Sequence, residues 1–177
     1  MKSLLAACLL LVTVLAQAQA LPAALRANGA APEAWQEWGS GEMRWFGLSL
    51  YDATLYVAGK EVGRAPLALH LRYRRAIPRE RLVQASIDEM RRLGADATQL
   101  KRWEADLMRV FPDVASGDSI TGVRLPGQGV RFFHQDVASG EIADPDFGRW
   151  FFAIWLDAKA HSPSLRESLL KGPKAPS

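Results

Sequence analysis

The side chains able to do chemistry in this chain are few and scattered. His70, His134 and His161 are its three histidines, and none falls at metal-ligand spacing from another. His70 and His134 lie in segments patterned as strands, and His161 precedes a helix start. Each therefore reads as a structural or solvated group before it reads as a ligand. No HExxH, no glycine-rich phosphate loop and no GxSxG elbow occurs, and Cys8 is the one cysteine. Asp113 and Asp118 in PDVASGD loosely resemble an oxygen-rich cation loop, but a helix-to-strand turn explains them more simply. The densest charge feature is Arg72, Arg74, Arg75, Arg79 and Arg81. On a strand Arg72 and Arg74 share one face, while Tyr73 and Arg75 share the other, so no single basic stripe forms. The cluster reads as a solvated sheet end ahead of an anion site. No metal and no cofactor is expected.

The elements that must position these groups alternate in kind. Met43 to Val57 is rich in aromatic and β-branched residues, which predicts one long strand or a hairpin bent at Gly47. Leu67 to Arg75 alternates apolar with polar or basic residues, as a half-buried strand does. A helix opens at Pro78, carries Leu82, Val83, Ser86, Ile87, Met90 and Leu93 on one face, and stops at Gly94. A second starts at Asp96, with Gln99 completing a capping box, and its stripe is Leu100, Trp103, Leu107 and Phe111. Strands follow at Ser119–Leu125 and Val130–Gln135, with a third at Glu141–Ala143. Asp144-Pro145 caps a helix from Phe147 to Leu156 that is apolar nearly all round, which predicts a central, buried position. Its hardest-packed face is expected to be Phe147, Trp150, Phe151, Ile154 and Trp155. Ser162-Pro163 starts a last short helix closing near Gly172. The order predicts an α+β domain, an antiparallel sheet with helices packed on one face.

Composition sets outer limits. Of 177 residues, 49% are hydrophobic and 23% charged, which excludes disorder and low complexity. The net charge is only +3, too small for a dedicated nucleic-acid binder, so no nucleic-acid partner is expected. The amino terminus reads as a signal peptide over residues 1–20. Lys2 is its positive start, Leu4 to Ala16 its apolar run, and Ala18-Gln19-Ala20 its cleavage pattern. The run is shorter than the roughly 20 residues a transmembrane helix needs, so no stable membrane span is expected. Leu5-Ala6-Ala7-Cys8 matches a lipoprotein box as a string but lies too close to Lys2. The expectation is a soluble periplasmic protein, cleaved after Ala20 and without thiols. Residues 21–37 read as a loose Ala- and Pro-containing arm, 38–172 as the domain, and 173–177 as a flexible tail.

Four segments occur in an order that resembles the bacterial chalcone isomerase-like proteins. They are GSGEMRWFGLSLYDATLYV, LHLRYRRAIPRERLVQASIDEM, FPDVASGDSITGVRLPGQGVRFF, and GEIADPDFGRWFFAIWLD with SPSLRESLL. The resemblance covers roughly Trp38 to Leu170. It implies an open-faced β-sandwich, a large antiparallel sheet covered by helices over a ligand cleft. Resemblance in fold does not carry an activity with it. Plant chalcone isomerases use an arginine, a threonine on the following strand, and a tyrosine and asparagine at a strand–helix junction. Arg44 matches the arginine, but Tyr51 stands in the threonine's place. The junction Ile77-Pro78-Arg79-Glu80-Arg81 has no tyrosine, and no asparagine follows it. Fatty-acid-binding proteins of the same fold keep an arginine and a tyrosine for a carboxylate, and Arg44 with Tyr51 looks more like that pair.

The resemblance therefore implies a protein that binds a small amphipathic ligand such as a fatty acid, with Arg44 and Tyr51 as ligand-binding residues and no catalytic set. Two alternatives stand beside it. One is an isomerase or lyase on an unknown substrate. The other is an envelope interaction protein using exposed Trp35 and Trp38 or the arginine cluster, its protein partner unknown. Geometry bears on the pair as well. Seven positions separate Arg44 from Tyr51, so on one flat strand they face opposite ways and converge only through a turn or bulge near Gly47.

Overall fold

The computed structural model describes residues 21–26 and 34–173. The expected signal peptide, much of the expected arm and the tail from 174 onward lie outside the described residues.

Six strands form one fully antiparallel sheet in the order of the sequence: β1 (Trp35–Trp45), β2 (Leu48–Ala58), β3 (Leu67–Tyr73), β4 (Ser119–Arg124), β5 (Val130–His134) and β6 (Val137–Ile142). The long apolar segment is thus a hairpin. Its two-residue turn is Phe46-Gly47, both at positive φ (46° and 79°), the twist-matched geometry of tight hairpins. Alternation then sorts the side chains. Ala53, Leu55 and Val57 from β2, and Leu67, Leu69, Leu71 and Tyr73 from β3, face one side and join the main core. Tyr56 and Ala68 face the other side.

The main core is closed by α2 (Arg79–Leu93), α3 (Ala97–Val110), α4 (Pro145–Leu156) and α5 (Pro163–Leu169). Their ends follow local chemistry. Gly94 ends α2 at φ 106°, where a side chain would be strained. Asp96 caps α3 through the amides of Thr98 and Gln99, and Asp144 caps α4 through those of Asp146 and Phe147. The Gln99 side chain does not close a capping box, turning instead toward Asp146. Along α4 the buried residues are Phe147, Gly148, Phe151, Phe152 and Trp155. Trp150 and Ile154, expected on the hardest-packed face, are only half-buried. The Arg149 guanidinium covers the Trp150 ring at 4.5 Å, and Ile154 borders the cavity described below.

Three further expectations need correction. The arm is not loose where it is described: Ala23–Arg26 forms a helical turn, α1, on the opposite sheet face, with Leu25 fully buried among Trp35, Tyr56, Ala68, Val123 and Phe133. Its Ala24 amide donates to Asp136 Oδ1 at 3.1 Å. Trp35, considered as an exposed contact residue, is only 4% exposed because it belongs to this second core. The third late strand also begins earlier than expected. Gln135 and Asp136 form a tight turn at φ 50° and 63°, so β6 starts at Val137 rather than Glu141.

Both sheet edges are approached closely by helices. A Cβ on Gly39 of β1 would lie 2.2 Å from the Ser168 carbonyl oxygen of α5, and one on Gly140 of β6 2.6 Å from Val110 of α3. Glycine permits both contacts.

Candidate functional site

Between the inner face of the sheet and α2, α4 and α5 lies a cavity of about 920 Å³. That is toward the upper end of the roughly 300–1,000 Å³ usual for small-molecule sites. Its walls are mainly apolar: Leu69, Leu71, Ile120 and Phe132 from the sheet, and Leu82, Phe151 and Ile154 from the helices. The phenylalanines are locked by their neighbours, with Phe132 and Phe151 meeting edge-to-face at 5.3 Å and Phe151 stacked on Phe147 at 5.3 Å.

Two phenols interrupt this surface. Tyr51 and Tyr73 are register partners across β2 and β3, their rings 5.7 Å apart, and both line the cavity. Trp155 Nε1 donates to the Tyr51 hydroxyl at 3.0 Å. That leaves the Tyr51 proton without an acceptor among the described residues, and the Tyr73 hydroxyl has no partner there either. Burial pushes the Tyr51 phenol up to about 12, with the Trp155 hydrogen bond opposing and the charge of Glu89 adding to the rise. Burial, reinforced by Tyr51, holds Tyr73 far above the usual tyrosine range. Both are therefore neutral hydrogen-bond donors at any physiological pH.

The cavity mouth is polar. Arg75, Arg81, Gln84, Asp88, Glu89 and His161 line it, with Trp45 beside them. Glu89 is held by Arg92 at 2.7 Å and by His161 Nδ1 at 3.5 Å. Asp88 is paired with Arg91. Arg75 and Arg81 have no carboxylate partner among the described residues. No group of three or more metal-ligating side chains exists among the described residues.

The structure treats the two sequence-derived site residues differently. Tyr51 lines the cavity, but Arg44 does not. The ladder pairs Met43 with Tyr51 and then Arg44 with Ser49, skipping Leu50. The bulge thus falls in β2, where it turns Leu50 and Tyr51 together toward the cavity. In β1, Met43 and Trp45 line the cavity, and Arg44 between them takes the opposite face. Its side chain is 62% exposed, pairs with Glu42 at 3.2 Å and donates to the Gly47 carbonyl at 3.2 Å. The two residues are not brought together.

Of the histidines only His161 reaches the cavity. His70 Nδ1 lies 2.9 Å from Thr121 Oγ1, and burial lowers its pKa. His134 lies 3.3 Å from Asp118. Asp113 and Asp118 accept the backbone amides of Arg79 and Ala115, as turn residues do. The arginine cluster divides. Arg74 forks onto Asp52 with two 3.0 Å bonds, while Arg75 and Arg81 face the cavity mouth. Tyr73 had a signal in the sequence, since it continues the inward parity of Leu67, Leu69 and Leu71. Trp155 had none, because its partner lies on a remote strand.

An open antiparallel sheet carrying helices on one face, over an apolar cavity, defines the architectural class. The family model described as chalcone isomerase-like matches residues 38–171, and the chain belongs to that family. Among solved structures, an Arabidopsis thaliana fatty-acid binding protein shares the fold with a TM-score of 0.61 and 10% sequence identity, over 81% of this chain and 90% of that one. At that identity the likeness is one of fold. No curated protein matches the sequence.

Proposed function

We propose that this protein binds an amphipathic small molecule, a fatty acid being the reference case, in the cavity between sheet and helices. One observation carries the reading: a largely apolar space is interrupted by two neutral phenol donors, Tyr51 and Tyr73, and its mouth holds Arg75 and Arg81, which have no carboxylate partner among the described residues. An acyl chain fills the surface around Phe132 and Phe151. The phenols donate to the oxygens of its polar end, and Arg75 and Arg81 supply the positive charge that a carboxylate requires. The fold shared with a fatty-acid binding protein supports this choice of ligand class. Mass spectrometry of a native-protein extract tests it. A copurified acyl chain, or displacement of a fluorescent fatty acid, is expected. An empty protein that takes up no acyl probe overturns it.

A second reading, an isomerase or lyase, draws on the Glu89–His161 contact at the mouth. A positioned carboxylate and imidazole can exchange a proton with a substrate. It requires a turnover that His161→Gln abolishes while binding persists. Chalcone cyclisation is not part of either reading, since the threonine, tyrosine and asparagine positions of that chemistry are unmatched. Export to the periplasm, with cleavage after Ala20, belongs to the proposal too and rests on the signal-like sequence of residues 1–20.

A further inference from the structure

Three of the four large apolar side chains left in solvent among the described residues gather at one turn, and the fourth, Val137, stands alone at the start of β6. Among the described residues Trp45, Phe46 and Leu48 are 44%, 90% and 54% exposed, and all three belong to the β1–β2 turn. Phe46 also sits at φ +46°, a region that is costly for a bulky residue. Neither the exposure nor the strain buries core surface. Trp45 ties this tip to the cavity mouth, since it lines the mouth and its ring lies 4.8 Å from that of His161.

Charge at the same end is unbalanced. Glu42 is taken by Arg44, Asp52 by Arg74, Asp88 by Arg91 and Glu89 by Arg92. Arg75 and Arg81 are left as exposed cations. We infer that the Trp45–Leu48 tip and these two arginines form a docking surface for an anionic lipid bilayer, which sets the cavity mouth against the membrane. Tryptophan, phenylalanine and leucine at a tip are the side chains that settle at headgroup depth. Guanidinium groups beside them hold lipid phosphates. A three-residue tip is far smaller than the roughly 1,000 Å² a specific protein interface needs, which favours the bilayer over a protein partner. Docking does not depend on the ligand-binding proposal, because a protein with an empty cavity would still sediment with vesicles.

The test is cosedimentation of the full chain with phosphatidylcholine vesicles, with and without phosphatidylglycerol. Binding is expected to be stronger to the anionic vesicles, and the difference shrinks as salt rises. Phe46→Ser with Leu48→Ser should weaken it about tenfold or more. Arg75→Gln and Arg81→Gln should each weaken it about fivefold and flatten the salt dependence. Every variant carries the same amino terminus, so residues 1–20 contribute equally throughout. Thermal melts establish folding, and the arginine variants test the proposal independently of the turn. Equal binding to both vesicle types, or unchanged binding by the tip variant, overturns it. So does a dimer in light scattering that the tip variant dissolves, which would make the tip a contact between two copies.

Discussion

The indole of Trp155 donates to the Tyr51 hydroxyl at 3.0 Å across 104 positions of sequence. The bond ties α4 to β2 and fixes the phenol by its oxygen. It also decides which way that phenol can act, because the oxygen accepts from the indole and its proton remains for another acceptor.

All three tyrosines are held neutral. Burial, with the charge of Glu37, raises Tyr56 to about 12, as burial chiefly raises Tyr51 to about 12, and Tyr73 lies higher still. A phenol whose pKa is raised by folding binds its proton more tightly folded than unfolded. Its contribution to stability is complete below the ordinary value of 10.0 and is lost as pH rises through about 12. Alkaline titration should therefore show no phenolate absorbance until the circular dichroism signal collapses, and then one joint step. A tyrosine that ionises reversibly near its ordinary value in the folded chain would contradict this.

Arg44→Met and Tyr51→Phe should separate cleanly. The Arg44–Glu42 pair is exposed, so its loss should change stability by less than about 0.5 kcal/mol. Acyl-probe affinity should stay within about twofold, whereas Tyr51→Phe should lower it roughly fivefold, the worth of one hydrogen bond. Equal losses in both variants would restore Arg44 as an anchor.

Asp144 joins α4 to α3, accepting the amides of Asp146 and Phe147 and the Trp103 indole while pairing with Arg102. Asp144→Ala should cost about 1 kcal/mol for the cap and about 1–3 kcal/mol for the stranded indole. Burial alone would raise its pKa, but the Trp103, Asp146 and Phe147 hydrogen bonds and the Arg102 charge outweigh it and hold the carboxyl low. Its stabilisation is thus present at neutral pH and lost as pH falls through that lowered value. Denaturant melts across the acid range should show the parent losing stability where the variant does not.

Phe151 is buried against Phe111, Phe132, Phe147 and Trp155. Phe151→Ala should cost about 3–5 kcal/mol in a denaturant melt. A cost under about 1 kcal/mol would mean that α4 repacks into the cavity.

Export should yield a chain beginning at Leu21 and free of cysteine, which intact-mass measurement of the periplasmic fraction checks. A species starting at a lipidated Cys8 would refute it.

Much of the fold was legible because local signals agreed. Gly94, Asp96 and Asp144 mark helix ends by chemistry confined to a few residues, and Leu67 to Tyr73 shows its parity without help. The start of β6 was not legible, since Gln135-Asp136 is an unusual pair for a tight turn and Val137 to Gly140 shows no apolar alternation. Of the cavity's two phenols, Tyr51 was singled out in the sequence and Tyr73 was legible through its parity with Leu67, Leu69 and Leu71. A single unpaired residue, Leu50, decides which β1 side chains share a face with Tyr51, and no composition rule announces it. Arg75 and Arg81 looked like solvated charge because their relation to the cavity depends on how α2 docks.

The contact at Gly39 carries a consequence for assembly. Each strand pairs with the one before it, so the sheet can extend in step with the emerging chain. Its first strand, however, is covered by the last helix, packed so closely that Gly39 has no room for a side chain. Until Leu165 and Leu169 arrive, the inner face of β1 is bare where α5 will lie. Premature termination before Pro163 should therefore leave a sheet that is nearly complete but bares an apolar face, adhesive toward its own kind.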